Sequence, residues 1–220
     1  MTEGVSFHRS IEDVFGVAGF ARHARRMLAL SPTPGLPPRS SPSDFDLNPD
    51  DWHPASELTA AAVLVGIVAR EPMTLLLTQR ASTLSKHAGQ IAFPGGRIDP
   101  DDQTPVDAAL REAEEEIGLP TAFVTPLGFL DTYRTGTGYA IAPLVALIQP
   151  GFTLRLQENE VTEAFEVPLA YLMDRQNHET HTKIWQGGER RFYAMPYEDR
   201  YIWGATAGIL KNMHERLFAQ

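Results

Sequence analysis

Three glutamates on one predicted helix, with an arginine beside them, are the residues of this chain best suited to chemistry. Glu112, Glu115 and Glu116 follow directly after Arg111, and at about 100° per residue a helix turns the three carboxylates to one side. Like charges one turn apart repel each other. A hard cation such as Mg²⁺ or Mn²⁺ offsets this repulsion because it binds carboxylate oxygens. The alternative is a solvated acidic helix face, which the glutamate spacing alone does not exclude.

The helix that must hold these acids has recognisable start and stop signals. Thr104 can serve as its N-cap, with Pro105 and Asp107 in the first turn, and Gly118 can supply the left-handed residue at its end. Apolar residues recur at the spacing of one buried helix face. They are Val106, Ala109, Leu110, Ala113 and Ile117. The sequence therefore predicts an amphipathic helix between Thr104 and Gly118.

The segment from Arg111 to Leu119 resembles the REUxEExGU core of the Nudix hydrolase box at every fixed position. Upstream, fourteen residues separate Gly96 from Arg111, one more than in the usual box. The acid that leads the box therefore falls on Gln103, or on Asp102 if one residue is inserted. The lengthened form GGxxDxxD is similar to that of the coenzyme A pyrophosphatase branch of the family. Gly95, Gly96, Asp99 and Asp102 reproduce it.

A second block, which precedes the double glycine, resembles the LLTxR(S/A)xxxRxxxGxxxFPGG signature of coenzyme A hydrolases among Nudix proteins. Residues 76–81, Gly89 and residues 93–96 match it, whereas the second arginine falls on Ser85, with Lys86 directly after it. The resemblance implies that cations and donors of this block meet the 3′-phosphate or the diphosphate of the substrate. The candidates are Arg80, Lys86, His87 and Gln90.

The resemblance implies a metal-dependent enzyme, a Nudix pyrophosphohydrolase and a coenzyme A diphosphatase. Its reaction would cleave the diphosphate bond of coenzyme A or its derivatives into 3′,5′-ADP and 4′-phosphopantetheine or an acyl form. The implied Mg²⁺ or Mn²⁺ ligands are Glu112, Glu115, Glu116 and the Gly96 carbonyl. Arg111 would orient Glu115. Glu160, on a later loop, is the candidate general base, and the alternative is that it is an ordinary solvated loop acid.

Three further segments are candidates for substrate contacts or packing. The glycines at 95 and 96 suit a loop that passes close to the metal, although a plain tight turn explains them equally well. The glycine-rich turn from Thr135 to Tyr139 can hold the adenine or pantetheine end of the substrate. The segment from Trp203 to Ala207 resembles an element of the same branch, and we expect it to pack rather than to bind.

Two other functions remain open at this stage. One is hydrolysis of ADP-ribose or another nucleoside-diphosphate-linked compound by the same metal centre. The other is a non-catalytic Nudix-type module that senses a nucleotide, a function usually marked by loss of a metal glutamate. None of the three glutamates is lost here.

Composition narrows the class of protein. A net charge of −9 makes a nucleic acid an improbable partner, and the absence of cysteine excludes disulfides and zinc–thiolate sites. No apolar run is long enough to span a bilayer, and the N-terminal region does not resemble a secretory signal, so we expect a cytoplasmic protein that binds no membrane. The expected partner is a small coenzyme A-like nucleotide.

The chain divides into three predicted regions. Residues 1–30 contain an amphipathic helix over 9–30, which packs either on the domain or on a second subunit of a homodimer. Residues 31–55 are rich in proline and serine, as expected of a linker or surface strap. Residues 56–220 form the Nudix domain, with a boundary near Trp52 to Glu57.

The periodicity within the last region predicts an α+β protein. Strand-like runs are Ala60–Val68, Met73–Thr78, Ile91–Phe93, Val124–Tyr133 and Ile141–Ile148. A short helix after Pro168 and a longer one from Ala205 to Phe218 follow, and Thr182–Trp185 and Arg191–Tyr193 form a predicted hairpin across Gly187 and Gly188. The resemblance to the Nudix fold implies a mixed β-sheet sandwiched between helices.

Overall fold

A computed structural model shows how these elements assemble. The structure describes residues 16–32, 42–49, 54, 57–84, 87–185 and 188–219. The predicted substrate cation Lys86, the boundary residue Trp52 and the first part of the N-terminal helix lie outside the described residues.

The helices and strands follow one another along the chain in mixed order. The helices are α1 (Val17–Met27), α2 (Pro105–Ile117), α3 (Leu169–Leu172) and α4 (Ala205–Leu217). The first strands are β1 (Thr59–Val68), β2 (Thr74–Arg80), β3 (Ile91–Ala92), β4 (Gly95–Arg97), β5 (Val124–Phe129) and β6 (Tyr133–Arg134). The later strands are β7 (Tyr139–Ile148), β8 (Val161–Pro168), β9 (Glu179–Trp185), β10 (Gly188–Tyr197) and β11 (Arg200–Trp203).

The central sheet is mixed, with the order β3-β2-β1-β7-β5, and β4, β6 and β8 pair at its margins. Strands β1 and β7 run parallel along their whole length, and the other pairs are antiparallel. Strand β1 pairs with β2 only at Ile67 and Val68 and pairs with β4 at residues 61–63. The chain segment before β4 fills the gap, where the Leu64 amide donates to the Pro94 carbonyl at 2.8 Å. The double glycine, Gly95 and Gly96 of β4, thus lies where β1 and β2 diverge.

Apolar layers cover both faces of the central sheet. On one face, α2 buries its small and branched residues against β1 and β7. On the other face, α1 and α4 share a core that contains Phe20, Ala24, Leu210 and Met213. A sheet that is covered on both sides by helices confirms the predicted α+β sandwich.

Within the described residues, the N-terminal region forms α1 (Val17–Met27), which packs on the domain. Phe20 and Ala24 are fully buried, whereas Arg22, Arg25 and Arg26 face outward. The buried face of the helix contacts β5 and α4. No helix among the described residues has both the length and the apolar character needed to cross a membrane.

Most predicted strands are confirmed within two or three residues, and the differences have physical causes. The predicted strand Val124–Tyr133 is interrupted, because β5 ends at Phe129 and β6 starts at Tyr133. Sequence reasoning missed β4, since two of its three residues are glycines, which are poor strand formers. It also missed β8 and β11, in which few residues are buried and the apolar alternation is weak. The predicted hairpin is confirmed as β9 and β10.

Candidate active site

The acidic helix α2 is held at both ends as its sequence predicts. The Thr104 hydroxyl accepts from the Asp107 amide at 3.3 Å, and the Asp107 carboxylate accepts from the Thr104 amide at 2.8 Å. This capping box satisfies two amides that would otherwise have no helical partner. Gly118 ends the helix with φ 64°, in the left-handed region that favours glycine. Both caps fix the rotation and length of α2, and thereby the direction of its carboxylates.

Glu116 is the acid that the fold treats differently from the others. Its side chain is 4% exposed, with Oε2 accepting from the Gly95 amide at 3.1 Å and Oε1 3.5 Å from Arg80 Nη1. Burial raises the pKa of Glu116 to about 7, and the charges of Glu112 and Glu160 act in the same direction. The carboxylate therefore lies inward, between the double glycine and the end of β2, rather than on the solvent side of the helix as predicted.

Glu112 lies one turn earlier and faces the same loop. A Cβ added to Gly96 would run into the Glu112 carboxylate, so glycine lets the loop pass this close without displacing Glu112. Burial also raises the pKa of Glu112, while its ion pair with Arg111 opposes the shift. Glu112 and Glu116 thus form one largely buried acidic pair against the loop. Glu115 is 59% exposed and is joined to Glu112 through Arg111 Nη1, which donates to both carboxylates.

Arg111 joins the acids of the helix to the turn before it. Its Nη1 donates to Glu112 at 3.1 Å and to Glu115 at 3.0 Å, and its Nη2 donates to the Arg97 carbonyl at 3.1 Å. Arg111 also donates to the Asp102 carboxylate, which accepts from Nε at 3.0 Å and from Nη2 at 2.9 Å. Orientation of Glu115 by Arg111 was predicted, and the contact is present. The same guanidinium also orients Glu112.

Asp102, rather than Gln103, is the acid that pairs with Arg111. The Asp102 side chain is 5% exposed, and the fork of hydrogen bonds from Arg111 lowers its pKa. Its carboxylate also accepts from the Asp99 amide at 2.8 Å, which closes a tight turn over residues 99–102. Gln103 is exposed. Asp102 stands at the usual distance from Gly96, so the additional residue lies between Asp102 and Arg111.

Several predicted substrate residues lie together at the end of β2. The Arg80 amide donates to the Gln90 carbonyl at 2.9 Å, and the Gln90 side chain contacts His87 Nδ1 at 2.9 Å. Arg80 Nε is buried and has no hydrogen-bond partner among the described residues. His87 has φ 56°, an uncommon backbone conformation that holds the loop over the strand end. The loop therefore presents Arg80 towards Glu116.

Glu160 also lies beside the acidic pair, as predicted for a candidate base. Its carbonyl accepts from the Ala81 amide at 2.8 Å, so the turn before β8 is fixed next to Arg80. Its exposed carboxylate is close enough to Glu112 and Glu116 for its charge to raise the pKa of both. Two loops far apart in sequence thus meet at Glu116.

Tyr139 lies on a different side of the double glycine. Its hydroxyl is 3.5 Å from Arg97 Nη2, while the Arg97 carbonyl accepts from Arg111. Sequence reasoning missed Arg97, and its position directly after Gly96 is the only signal that could have indicated it. The Tyr139 turn is itself held in place, since the Gly136 amide donates to Asp44 at 2.9 Å.

The donor set of this site suits a hard divalent cation. Within the part of the chain that the structure describes, no three acids or histidines form a ready metal cluster. Glu112 and Glu116 nevertheless face one loop, and burial together with neighbouring negative charges raises the pKa of each. A cation bound between them would reverse that shift, and oxygen-only donors match Mg²⁺ or Mn²⁺. Glu115 can join them only if its carboxylate leaves Arg111.

The chain is similar in sequence to known proteins. The model of the NUDIX domain matches residues 58–186. A protein of Yersinia pestis (strain Pestoides F) named "Uncharacterized Nudix hydrolase NudL" is 41% identical over 157 residues, a match that covers 71% of this chain and 79% of that protein. The protein of the same name from Yersinia pseudotuberculosis serotype O:3 (strain YPIII) gives the same values. Among solved structures, the Nudix hydrolase RenU from M. Smegmatis has a TM-score of 0.49 at 20% identity and covers 71% of this chain and 84% of that chain.

The raised pKa of Glu116 predicts how the metal-free protein responds to pH. The folded state holds this proton up to about pH 7, whereas the unfolded chain releases it near the ordinary value of 4.5. The free energy of unfolding should therefore fall as pH rises from 4.5 to 7. Glu116→Gln cannot ionise, so it should exceed the wild type by on the order of 2 kcal/mol at pH 8 and match it at pH 4.

Urea unfolding in the presence of a chelator at pH 4 and pH 8 measures this difference. Glu114→Gln is the matched control, since Glu114 is an exposed glutamate of the same helix, and this variant should show the same difference between the two pH values as the wild type. Parallel curves for the wild type and Glu116→Gln would contradict the burial argument.

The contact between Asp102 and Arg111 predicts an effect on metal affinity. Asp102→Asn removes the charge that holds the guanidinium, so Arg111 should shift towards the acids and compete with a cation. We expect the affinity for Mn²⁺, measured by the electron paramagnetic resonance of the free ion, to fall about 10- to 100-fold. Gln103→Ala, at the neighbouring exposed position, should bind Mn²⁺ as the wild type does. A larger loss for Gln103→Ala would return the role to that residue.

Proposed function

The chain belongs to the Nudix hydrolase family, in its NudL-like branch, and we propose that it hydrolyses the diphosphate bond of coenzyme A or its derivatives. The products would be 3′,5′-ADP and 4′-phosphopantetheine or its acylated form. The observation that carries the proposal is the contact of Arg80 with Glu116. It joins the block that resembles the coenzyme A signature to the acidic helix in a single site.

A metal site at the acidic helix is part of the proposal. Glu112 and Glu116 would hold Mg²⁺ or Mn²⁺, with Glu115 and the Gly96 carbonyl as further oxygen donors. The bound cation would neutralise the charge of the diphosphate and lower the pKa of water. Arg111 would keep the carboxylates apart from one another and correctly turned, since it already donates to two of them.

The bond change itself needs a water, a base and a neutralised diphosphate. The water oxygen forms a new bond to one phosphorus atom while the bridging P–O bond breaks, and the bridging oxygen leaves on the other phosphate. Glu160 would take the proton from the water, since its exposed carboxylate lies near the acidic pair. Arg80, whose guanidinium lies beside Glu116, would meet either the diphosphate or the 3′-phosphate of the substrate.

The remaining predicted contacts would orient the substrate around this centre. His87 and Gln90 lie on the loop that ends at Arg80, and Lys86 belongs to the same loop in sequence. The Gly95 amide lies beside Glu116, and Tyr139 lies on the other side of the double glycine. We expect the enzyme to act in the cytoplasm on this small anionic substrate, as a monomer or homodimer.

A substrate panel tests the proposal. Coenzyme A, acetyl-coenzyme A, ADP-ribose, NADH and diadenosine tetraphosphate would each be incubated with Mg²⁺ or with Mn²⁺, and the products separated by chromatography. We expect coenzyme A and its acyl form to have the highest kcat/KM, with 3′,5′-ADP as the common product. Turnover of ADP-ribose with coenzyme A at the blank rate would contradict the substrate. Binding of nucleotides without any turnover would instead indicate a sensing module.

Substitution of Arg80 tests its predicted contact with the 3′-phosphate. Arg80→Ala should raise KM for coenzyme A about tenfold more than KM for 3′-dephospho-coenzyme A, because only the former carries the additional charge. Arg70→Ala is the matched control, since Arg70 pairs with Glu166 near the opposite end of β2. Equal increases for both substrates would remove the role in 3′-phosphate binding and leave Arg80 to the diphosphate.

A further inference from the structure

The outward face of the second sheet carries an aromatic cluster that the reaction described above does not use. In the three-stranded sheet β9–β10–β11, opposite residues share a face, and Met195 and Ile202 bury the inner one. The outer face presents His181, Phe192, Tyr201 and Trp203. Together with Thr182 and Lys183 they line an open groove of about 590 Å³.

The rings in this groove are arranged edge to face rather than stacked flat. The centroids of Phe192 and Trp203 are 5.2 Å apart at 64°, and those of His181 and Phe192 are 6.0 Å apart at 66°. His181 Nδ1 contacts the Tyr201 hydroxyl at 2.6 Å, so the histidine and tyrosine hold each other. Tyr201 remains 41% exposed. The arrangement is fixed by its own contacts and leaves ring surface open to a planar ligand.

The Trp203 end of the groove is connected to the candidate active site. Strand β11 lies beside β3, and the Thr206 hydroxyl, just after β11, donates to the Ile91 carbonyl at 3.0 Å. The residue before Ile91 is Gln90, whose carbonyl accepts from the Arg80 amide. The packing expected of the segment from Trp203 to Ala207 is thus present at Thr206, while Trp203 itself also faces the groove.

We propose that this aromatic groove binds the adenine base of the diphosphate substrate, with Lys183 meeting a phosphate of the same nucleotide. The proposal rests on the proposed function and adds the residues that recognise one end of the substrate. Purine rings stack on aromatic side chains, and a lysine beside them supplies the charge that the nucleotide phosphates require. The flexible aliphatic 4′-phosphopantetheine arm has no planar ring that could stack on these side chains. A second copy of this chain is a poorer occupant of the groove, because it carries no phosphate that could pair with Lys183.

Equilibrium binding without turnover tests this assignment. In the presence of a chelator, the affinity of the full chain for 3′,5′-ADP and for 4′-phosphopantetheine would be measured by calorimetry. We expect Tyr201→Ala to weaken 3′,5′-ADP about tenfold, the usual cost of one lost stacking contact, and to leave 4′-phosphopantetheine unchanged. Ile184→Ala is the matched control, because Ile184 is 77% exposed on the opposite face of the same sheet. It should bind both compounds as the wild type does.

Two further measurements separate the parts of the proposal. Lys183→Ala should weaken 3′,5′-ADP more than adenosine, which carries no phosphate. Trp203→Phe keeps an aromatic ring, so it should retain the affinity while losing most of the fluorescence quenching that 3′,5′-ADP causes in the wild type. If Tyr201→Ala binds 3′,5′-ADP normally, or if it weakens 4′-phosphopantetheine instead, the groove is not the adenine site.

The two proposals can fail independently. If the groove variants bind 3′,5′-ADP normally while coenzyme A is hydrolysed, the function survives and the adenine site is overturned. If the groove variants lose 3′,5′-ADP while only ADP-ribose is hydrolysed, the adenine site survives, since both substrates carry the base, and the substrate assignment is overturned.

Discussion

The candidate site depends on one constraint, the burial of the Glu116 carboxylate at the end of a capped helix. A buried carboxylate must find donors, and here the Gly95 amide and the Arg80 guanidinium supply them. Gly95 belongs to β4, which pairs with β1, and Arg80 ends β2. The Glu116 side chain therefore connects β4 to β2 at the place where β1 and β2 diverge. The gap between these strands is therefore where the substrate loops meet the acids of the helix.

The Arg111 guanidinium performs a related task on the outer side of the helix. It donates hydrogen bonds to three carboxylates and one backbone carbonyl, which keeps acids of like charge in fixed positions. Since Asp102 fixes the guanidinium from the turn, the length of that turn matters for the geometry of the site. The additional residue that distinguishes this chain from the usual box lies between this turn and Arg111. The residue spacing alone did not decide whether Asp102 or Gln103 contacts Arg111.

The two sheets carry different parts of the proposed site. The central sheet carries the acids, the double glycine and Arg80, all close to the helix α2. The small second sheet offers aromatic rings and one lysine, and its link to the centre passes through β3 and the start of α4. A long substrate with charge in the middle and a planar base at one end suits such a division, because the reacting group and the recognised group need different surroundings.

The sequence by itself determined the helix α2, its caps, its acids and the family, because these depend on local periodicity and on residues close together in the chain. It also indicated Arg80, His87, Gln90 and Glu160 as neighbours of the site. Only the tertiary structure decided that Glu116 lies inward, that Asp102 rather than Gln103 holds Arg111, and that Arg97 joins them. These outcomes depend on burial and on contacts between strands distant in sequence. Helical angles place three glutamates on one side, but the approach of the Gly95 loop determines which of them is shielded from water.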